Sequence, residues 1–100
     1  MNYILNSDGE PEACPDLMTW AKSFETQSRV VAKEQVGDML VSTVFLGIDH
    51  SFSGEGLVPV LWETMIFGGD LDEHQERCSG SRADALKMHD RVVAKAKGHQ

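Results

Sequence analysis

The sequence is poor in cysteine and has no long apolar run. Cys14 and Cys78 lie far apart and form no CxxC pair, so their spacing excludes a zinc knuckle. No stretch approaches the ~18 consecutive apolar residues of a membrane-spanning helix. The opening residues MNYILNSDGE contain neither a basic leader nor an apolar signal core. We therefore expect a cytoplasmic protein with reduced thiols and no membrane contact.

Basic residues are also scarce. The chain has 9 Lys and Arg against 16 Asp and Glu, a formal net charge of −7. Phosphate backbones repel such a chain, so we expect no direct, sequence-independent nucleic-acid binding. The acidity instead suits solubility, contact with a basic protein surface or mimicry of nucleic acid. The hydrophobic fraction of 41% is ordinary for a folded protein, and residues 1–100 are predicted to form a single domain.

The centre of the chain predicts a β-hairpin. The stretch 40–67 holds two apolar runs, rich in β-branched and aromatic residues, around a loop of Gly, Ser, Asp and His. The first run, 39–48, carries apolar side chains on both of its faces, which is typical of a central strand covered on both sides. Further strands are predicted at 3–5, 29–36, 58–67 and 73–78.

Two amphipathic segments predict helices. Asp16 is a good N-cap, and apolar residues follow it at helical spacing, so a helix is expected from about Asp16 to Glu25. Ser81 and Asp84 form a start that resembles a capping box for a second helix. Its predicted apolar stripe is Ala85, Leu86, His89, Val92, Val93 and Ala96. The predicted class is α+β, an antiparallel sheet of four to five strands in the order β-α-β-β-β-β-α with two helices packed on one face.

One helical layer covers one face of a sheet. The central strand would then leave apolar side chains on the other face, and large exposed apolar surfaces mark interfaces. We therefore expect a homo-oligomer, a dimer or higher.

Four residues are candidates for a ligand-binding site. Asp49 and His50 sit where a strand enters the glycine-rich loop, Glu63 interrupts an apolar strand, and His89 lies on the predicted buried stripe. If they converge, His50, Glu63 and His89 could act as general acid and base, or ligate a divalent metal. No metal or other cofactor is predicted, because neither the spacing nor any motif specifies one.

Each candidate also has a purely structural interpretation. Asp49 can bind backbone amides of the loop, and His50 can be an exposed loop residue. His89 can be a core histidine satisfied by Glu63 or a carbonyl group. Glu63 can be an ordinary solvent-facing residue, since the register of its strand cannot be read from the sequence. The hypothesis that Glu63 meets His89 requires both to lie on the same face of the sheet.

Several stretches together carry a resemblance to a known family. These are the N-terminal YIL, DLMTWAKSFE, VGDMLVSTVFLGIDHSF, LWETMIFGG and a closing helix with DA followed by His89. The chain resembles, over nearly its whole length, a family of small proteins from tailed phages and prophages with the motif STVFLGxDHxF…ETMxFGG. Where that family usually has Gly-His in the last helix, this chain has Met88-His89. The resemblance implies a phage or prophage origin and no particular chemistry.

Three functions remain open from the sequence. The first is a non-catalytic binding module that acts on the host by binding a host protein or capturing a small ligand, as counter-defence proteins do. The second is a small hydrolase that uses His50, Glu63 and His89. The third is a structural or assembly protein of the virion. The absence of a coherent catalytic motif favours the first.

Overall fold

The computed structural model describes residues 2–50 and 58–99. The centre of the predicted loop, 51–57, lies outside the described residues. The elements are β1 (Tyr3–Leu5), β2 (Pro11–Ala13), α1 (Leu17–Thr26), β3 (Val30–Val36), β4 (Met39–Phe45), β5 (Val60–Phe67), β6 (Gln75–Ser79) and α2 (Arg82–Lys97). All but β2 were predicted, with bounds close to these. β2 was not predicted; Pro11 is its first residue, the strand position that tolerates proline best.

The four longer strands form one antiparallel sheet in the order β3-β4-β5-β6, and β1 pairs with β2 in a separate antiparallel hairpin. Within the larger sheet, strands that are consecutive in the chain are neighbours, as in a series of hairpins. This confirms the predicted α+β class with an antiparallel sheet.

Glycines make two of these connections possible. Gly37, with φ +60°, begins the two-residue turn between the paired residues Val36 and Met39. Gly68 follows β5 with φ +90°, and a Cβ there would collide with the carbonyl oxygen of Asp38. A side chain at Gly68 would therefore separate the two turns at this end of the sheet.

Helix α2 packs across one face of the sheet and contacts all four strands. We call this the covered face. Its centre is formed by alternate residues of β4 and β5, all fully or almost fully buried: Val41, Thr43, Phe45, Trp62, Thr64 and Ile66. The residues of α2 buried against them are Ala85, Met88, His89, Val92, Val93 and Ala96. The core of the molecule lies between these two layers.

The opposite side of the sheet is the open face. Strand register places on it Val30, Lys33, Gln35, Leu40, Ser42, Val44, Glu63, Met65, Phe67, Gln75 and Arg77. Within residues 2–50 and 58–99, neither helix and neither strand of the β1–β2 hairpin packs across it. Phe67 keeps 46% of its surface exposed. The uncovered apolar face predicted from the central strand is therefore present.

The start of α2 is held as the sequence predicted, but its apolar stripe differs. The Ser81 side chain accepts a hydrogen bond from Asp84 N, and the Asp84 carboxylate accepts one from Ser81 N, which completes a capping box. Leu86, predicted to be core, is 36% exposed, whereas Met88 is fully buried. At 100° per residue the buried residues of α2 span roughly 140°, from Met88 to Val93, and Leu86 lies roughly 20° beyond Val93, so the prediction for Leu86 was wrong.

Helix α1 occupies the end of the sheet. Its most extensive contacts are with β1, and the Trp20 indole N–H donates to the carbonyl oxygen of Gly47 over 3.0 Å. The ring centroids of Trp20 and Phe24 lie 5.0 Å apart, and both side chains line a small cleft together with Phe45. Because the Phe45 side chain belongs to the covered face, both helices lie on that side, α2 across its middle and α1 at its end.

Neither of the helices found in the described part of the chain is long and apolar enough to cross a bilayer. Both cysteines are free thiols. Burial raises the pKa of the Cys78 thiol, and the nearby Asp84 carboxylate adds to that effect.

Candidate functional site

His89 lies inside the core, where it completes a polar chain across two strands. It is 5% exposed, and its Nδ1 lies 2.7 Å from the Thr43 hydroxyl, which in turn lies 2.6 Å from the Thr64 hydroxyl. Thr43 and Thr64 are direct partners in the β4–β5 register. Thr43 can donate to Nδ1 while Thr64 donates to Thr43, or His89 can donate and the chain can run the other way. His89 is therefore a core histidine, as its structural interpretation proposed, but its partner is the Thr43 hydroxyl and not Glu63 or a carbonyl group.

Glu63 lies on the other side of the sheet. It is adjacent to Thr64 in β5, and successive strand residues point to opposite faces. On the open face, the Nε–H of Arg77, its partner in the β6 register, donates to the Glu63 carboxylate over 2.7 Å. Glu63 and His89 therefore do not meet, and the hypothesis of a shared site was wrong. Because side chains alternate between the two faces along β5, Thr64 faces α2 in the place proposed for Glu63.

Asp49 and His50 lie just beyond β4, next to the first residue of β5. The Asp49 carboxylate accepts a hydrogen bond from Val60 N over 2.9 Å, and His50 N donates to the carbonyl oxygen of Val60 over 2.9 Å. The Nδ1 of His50 donates to the carbonyl oxygen of Ile48 over 2.7 Å, which fixes the ring orientation. Asp49 thus accepts a hydrogen bond from a backbone amide, the kind of contact that its structural interpretation proposed, and this bond closes the end of the hairpin.

The four predicted site residues fall into three places. Asp49 and His50 remain together at the end of the hairpin, Glu63 is on the open face, and His89 is in the core. Across the described ranges 2–50 and 58–99, no three His, Cys, Asp or Glu side chains are grouped so as to hold a metal ion. The arrangement offers hydrogen bonds that support the fold and brings no acid–base pair to a common cleft.

One polar cluster was missed by the sequence reasoning. The Glu76 carboxylate in β6 accepts hydrogen bonds from His74 Nε2 over 2.9 Å and from an Arg91 amino group over 2.7 Å, and Lys95 Nζ lies 3.9 Å away. The hydrogen bonds from Arg91 and His74 lower the pKa of Glu76 from its ordinary value. Arg91 and Lys95 are one turn apart on α2, a spacing that could have marked a basic edge. Their acidic partner lies on a distant strand that no local pattern identifies.

Apolar side chains are exposed at the hairpin end. Leu17 and Met18, at the start of α1, are 62% and 77% exposed, and Ile48 is 40% exposed. The backbone links the two places: Ile48 pairs with Asn2, and the Asn2 carbonyl oxygen accepts a hydrogen bond from Cys14 N, shortly before α1 begins. We call Leu17, Met18, Ile48 and the adjoining Asp49 and His50 the Ile48 surface. It joins two of the predicted ligand-binding residues to exposed apolar groups.

Two of the clefts in the described structure can be compared with ligand pockets. The cleft between α1, β1 and the end of β4 has a volume of about 10 Å³ and is lined by aromatic rings. The cleft on the open face has a volume of about 60 Å³ and is lined by Ser42, Val44, Glu63, Met65 and Phe67. Pockets for small organic ligands are usually ~300–1,000 Å³ in volume. Neither cleft is large enough to enclose such a ligand.

Comparison with protein-family models, with curated proteins and with solved structures found no match to this chain. The resemblance to small phage proteins therefore stays a prediction.

Proposed function

We propose that the chain is a non-catalytic binding module, encoded by a phage or prophage, that acts in the host cytoplasm by binding a host protein. The observation that carries the proposal is the Ile48 surface. Leu17, Met18 and Ile48 expose much of their apolar area at one end of the molecule. Clustered exposed apolar groups, especially with polar groups beside them, are typical of protein–protein contact sites.

A host protein is a better partner for this surface than a small ligand. The two clefts, of about 10 and 60 Å³, are too small to enclose a metabolite. The exposed side chains of Leu17, Met18 and Ile48 can be covered from outside by a protein partner. The net charge of −7 favours a partner with a basic surface, because opposite charges steer the encounter.

The alternative hydrolase hypothesis loses its geometric support. It required His50, Glu63 and His89 to converge. Glu63 and His89 lie on opposite sides of the sheet, where Glu63 pairs with Arg77 and His89 with Thr43. The third hypothesis, a structural or assembly protein of the virion, gains no specific observation.

The proposal is tested by affinity capture from a bacterial lysate with three forms of the chain. The wild type and Leu86→Ser, a control on the exposed edge of α2, should capture the same protein. The double variant Leu17→Ser, Met18→Ser should lose it. The captured protein, once purified, should bind the wild type in calorimetry with a defined stoichiometry, and the double variant at least about tenfold more weakly. Equal binding by all three forms would contradict the proposal.

A further inference from the structure

We infer that a second copy of this chain occupies the open face, so that the protein is a dimer in which two sheets pack face to face. This inference goes beyond the proposed function and does not depend on the identity of the host protein. It starts from the apolar centre of the face, which consists of Val30, Leu40, Val44, Met65 and Phe67. These side chains run across three neighbouring strands without a layer above them in the described structure.

The size of the face fits a weak dimer. Four strands at ~4.8 Å spacing and about seven residues at ~3.3 Å each make a face of roughly 440 Å². Two such faces together bury roughly 900 Å² before surface roughness is counted, close to the ~1,000 Å² at which specific interfaces begin. Sheet-on-sheet packing at ~10 Å separation is a common way to bury an apolar sheet face.

The distribution of charge selects a second copy as the occupant. The chain is strongly acidic, so two copies repel each other over most of their surfaces. Among the residues that strand register places on the open face, Glu63 is the acidic one, and it is already paired with Arg77, while Lys33 adds a positive charge. Two copies can therefore meet there without bringing unpaired carboxylates together. The remaining acidic groups stay outside the pair, where distance and salt weaken their repulsion.

The face also has relief suited to interlocking side chains. The cleft of about 60 Å³ between Val44, Met65 and Phe67 lies next to the partly exposed Phe67 ring. In a two-fold arrangement each copy offers both a cleft and projecting side chains, because both copies present the same patch.

The test is sedimentation equilibrium of the whole chain from about 1 to about 300 µM, a range that brackets a weak interface of this size. The wild type should form a reversible dimer. Phe67→Lys should weaken dimerisation at least about tenfold, because it places a charge in the contact. Leu86→Lys, the same change on the exposed edge of α2, should leave the dissociation constant unchanged.

A second variant keeps the test decisive if Phe67→Lys fails to fold in circular dichroism. Val44→Thr keeps a β-branched side chain in the strand but adds a hydroxyl to the contact, and should weaken the dimer several-fold. On dilution, NMR signals of Leu40, Val44 and Met65 should shift while those of α2 stay in place. A wild-type monomer at the highest concentration, a dimer unaffected by the folded open-face variants, or host-protein capture that depends on Phe67 would each overturn the inference.

Discussion

The two faces of the four-stranded sheet are made from alternate residues of the same strands, but their polar side chains have different kinds of partner. On the covered face, Thr43 and Thr64 are fully buried and satisfy each other and His89. On the open face, the Glu63 carboxylate accepts a hydrogen bond from Arg77, whose side chain is partly exposed to water. Hydroxyl and imidazole groups that hydrogen-bond to one another can be buried at low cost, whereas a carboxylate needs a cation or solvent.

The covered face and the open face also differ in whether their side chains stabilise the monomer or remain available for association. The covered face meets a helix of its own chain, so each of its side chains contributes to folding. The open face meets nothing in the described part of the monomer, so its apolar side chains contribute little to folding and remain available to a partner. Substitutions of neighbouring residues on one strand should therefore have very different effects.

The largest difference should appear between Ile66 and Phe67. Ile66→Ala removes a fully buried side chain beneath α2 and should lower the free energy of unfolding by about 2–5 kcal/mol. Phe67→Ala, one residue along on the open face, should lower it by about 1 kcal/mol or less. Urea denaturation at a concentration below self-association measures both. Equal losses would mean that something covers the open face in the monomer.

The buried polar chain should give the next largest effect. Thr43→Val keeps the shape of the side chain but leaves Thr64 and His89 Nδ1 without their partner, so stability should fall by about 1–3 kcal/mol. Ser42→Ala is the matched control, one residue away on the open face, and should change stability by about 0.5 kcal/mol or less. If Thr43→Val lowered the free energy of unfolding as little as Ser42→Ala, the hydrogen bonds among Thr43, Thr64 and His89 would contribute little to stability.

Glu76 at the edge of the covered face should make stability depend on acid pH. Its pKa in the folded state is lowered from 4.5 by the hydrogen bonds from Arg91 and His74, so the unfolded state binds more protons in that range. The stabilisation is present above pH 4.5 and is lost as the pH falls through the folded-state pKa. Because the pair is partly exposed, the loss should be about 1 kcal/mol or less.

Denaturant melts between pH 7 and pH 3 compare wild type with Glu76→Gln. The variant should be less stable at pH 7, and the difference between the two proteins should shrink as the solution becomes more acidic. A constant difference across this range would argue against the Glu76 cluster as a stabilising contact.

The smallest effect should come from the ion pair on the open face. A double-mutant cycle with Glu63→Gln and Arg77→Gln should give a coupling energy of about 0.5–1 kcal/mol, as is usual for partly exposed pairs. Because the open face is not part of the monomer core, neither single change should prevent folding. A much larger coupling energy would indicate that the pair is buried by contact with another molecule.

Local patterns predicted most of the fold. The strands β3, β4 and β5 follow from runs with β-branched residues separated by turn residues, and β6 lies in the polar segment predicted at 73–78. The capping box at Ser81 follows from its spacing to Asp84. The uncovered apolar face was predicted from β4, which carries apolar residues at both odd and even positions. Such features depend on residues a few positions apart, which is why the sequence displays them directly.

Less of the candidate site could be predicted. Asp49 and His50 lie at the hairpin end as expected, but Leu17 and Met18 join them through a β1–β2 hairpin whose second strand was not foreseen. Leu86 was taken for core because it is a leucine near the stripe, although its angular position is at the margin. The leucine side chain favours burial, but its position around the helix axis leaves it partly exposed beside the buried stripe.

What the sequence determined by itself was the order of elements, the caps and the alternation along each strand. What the tertiary structure alone decided was which of two alternating sets faces α2. A shift of one residue in register would have turned Glu63 toward the helix and Thr64 away from it, with the same strand and the same turns. The outcome rests on contacts between distant residues, such as Thr43 with His89, 46 positions apart. The core can accept the hydroxyl and must leave the carboxylate outside, because burying an unpaired charge costs far more than burying a hydrogen-bonded neutral group.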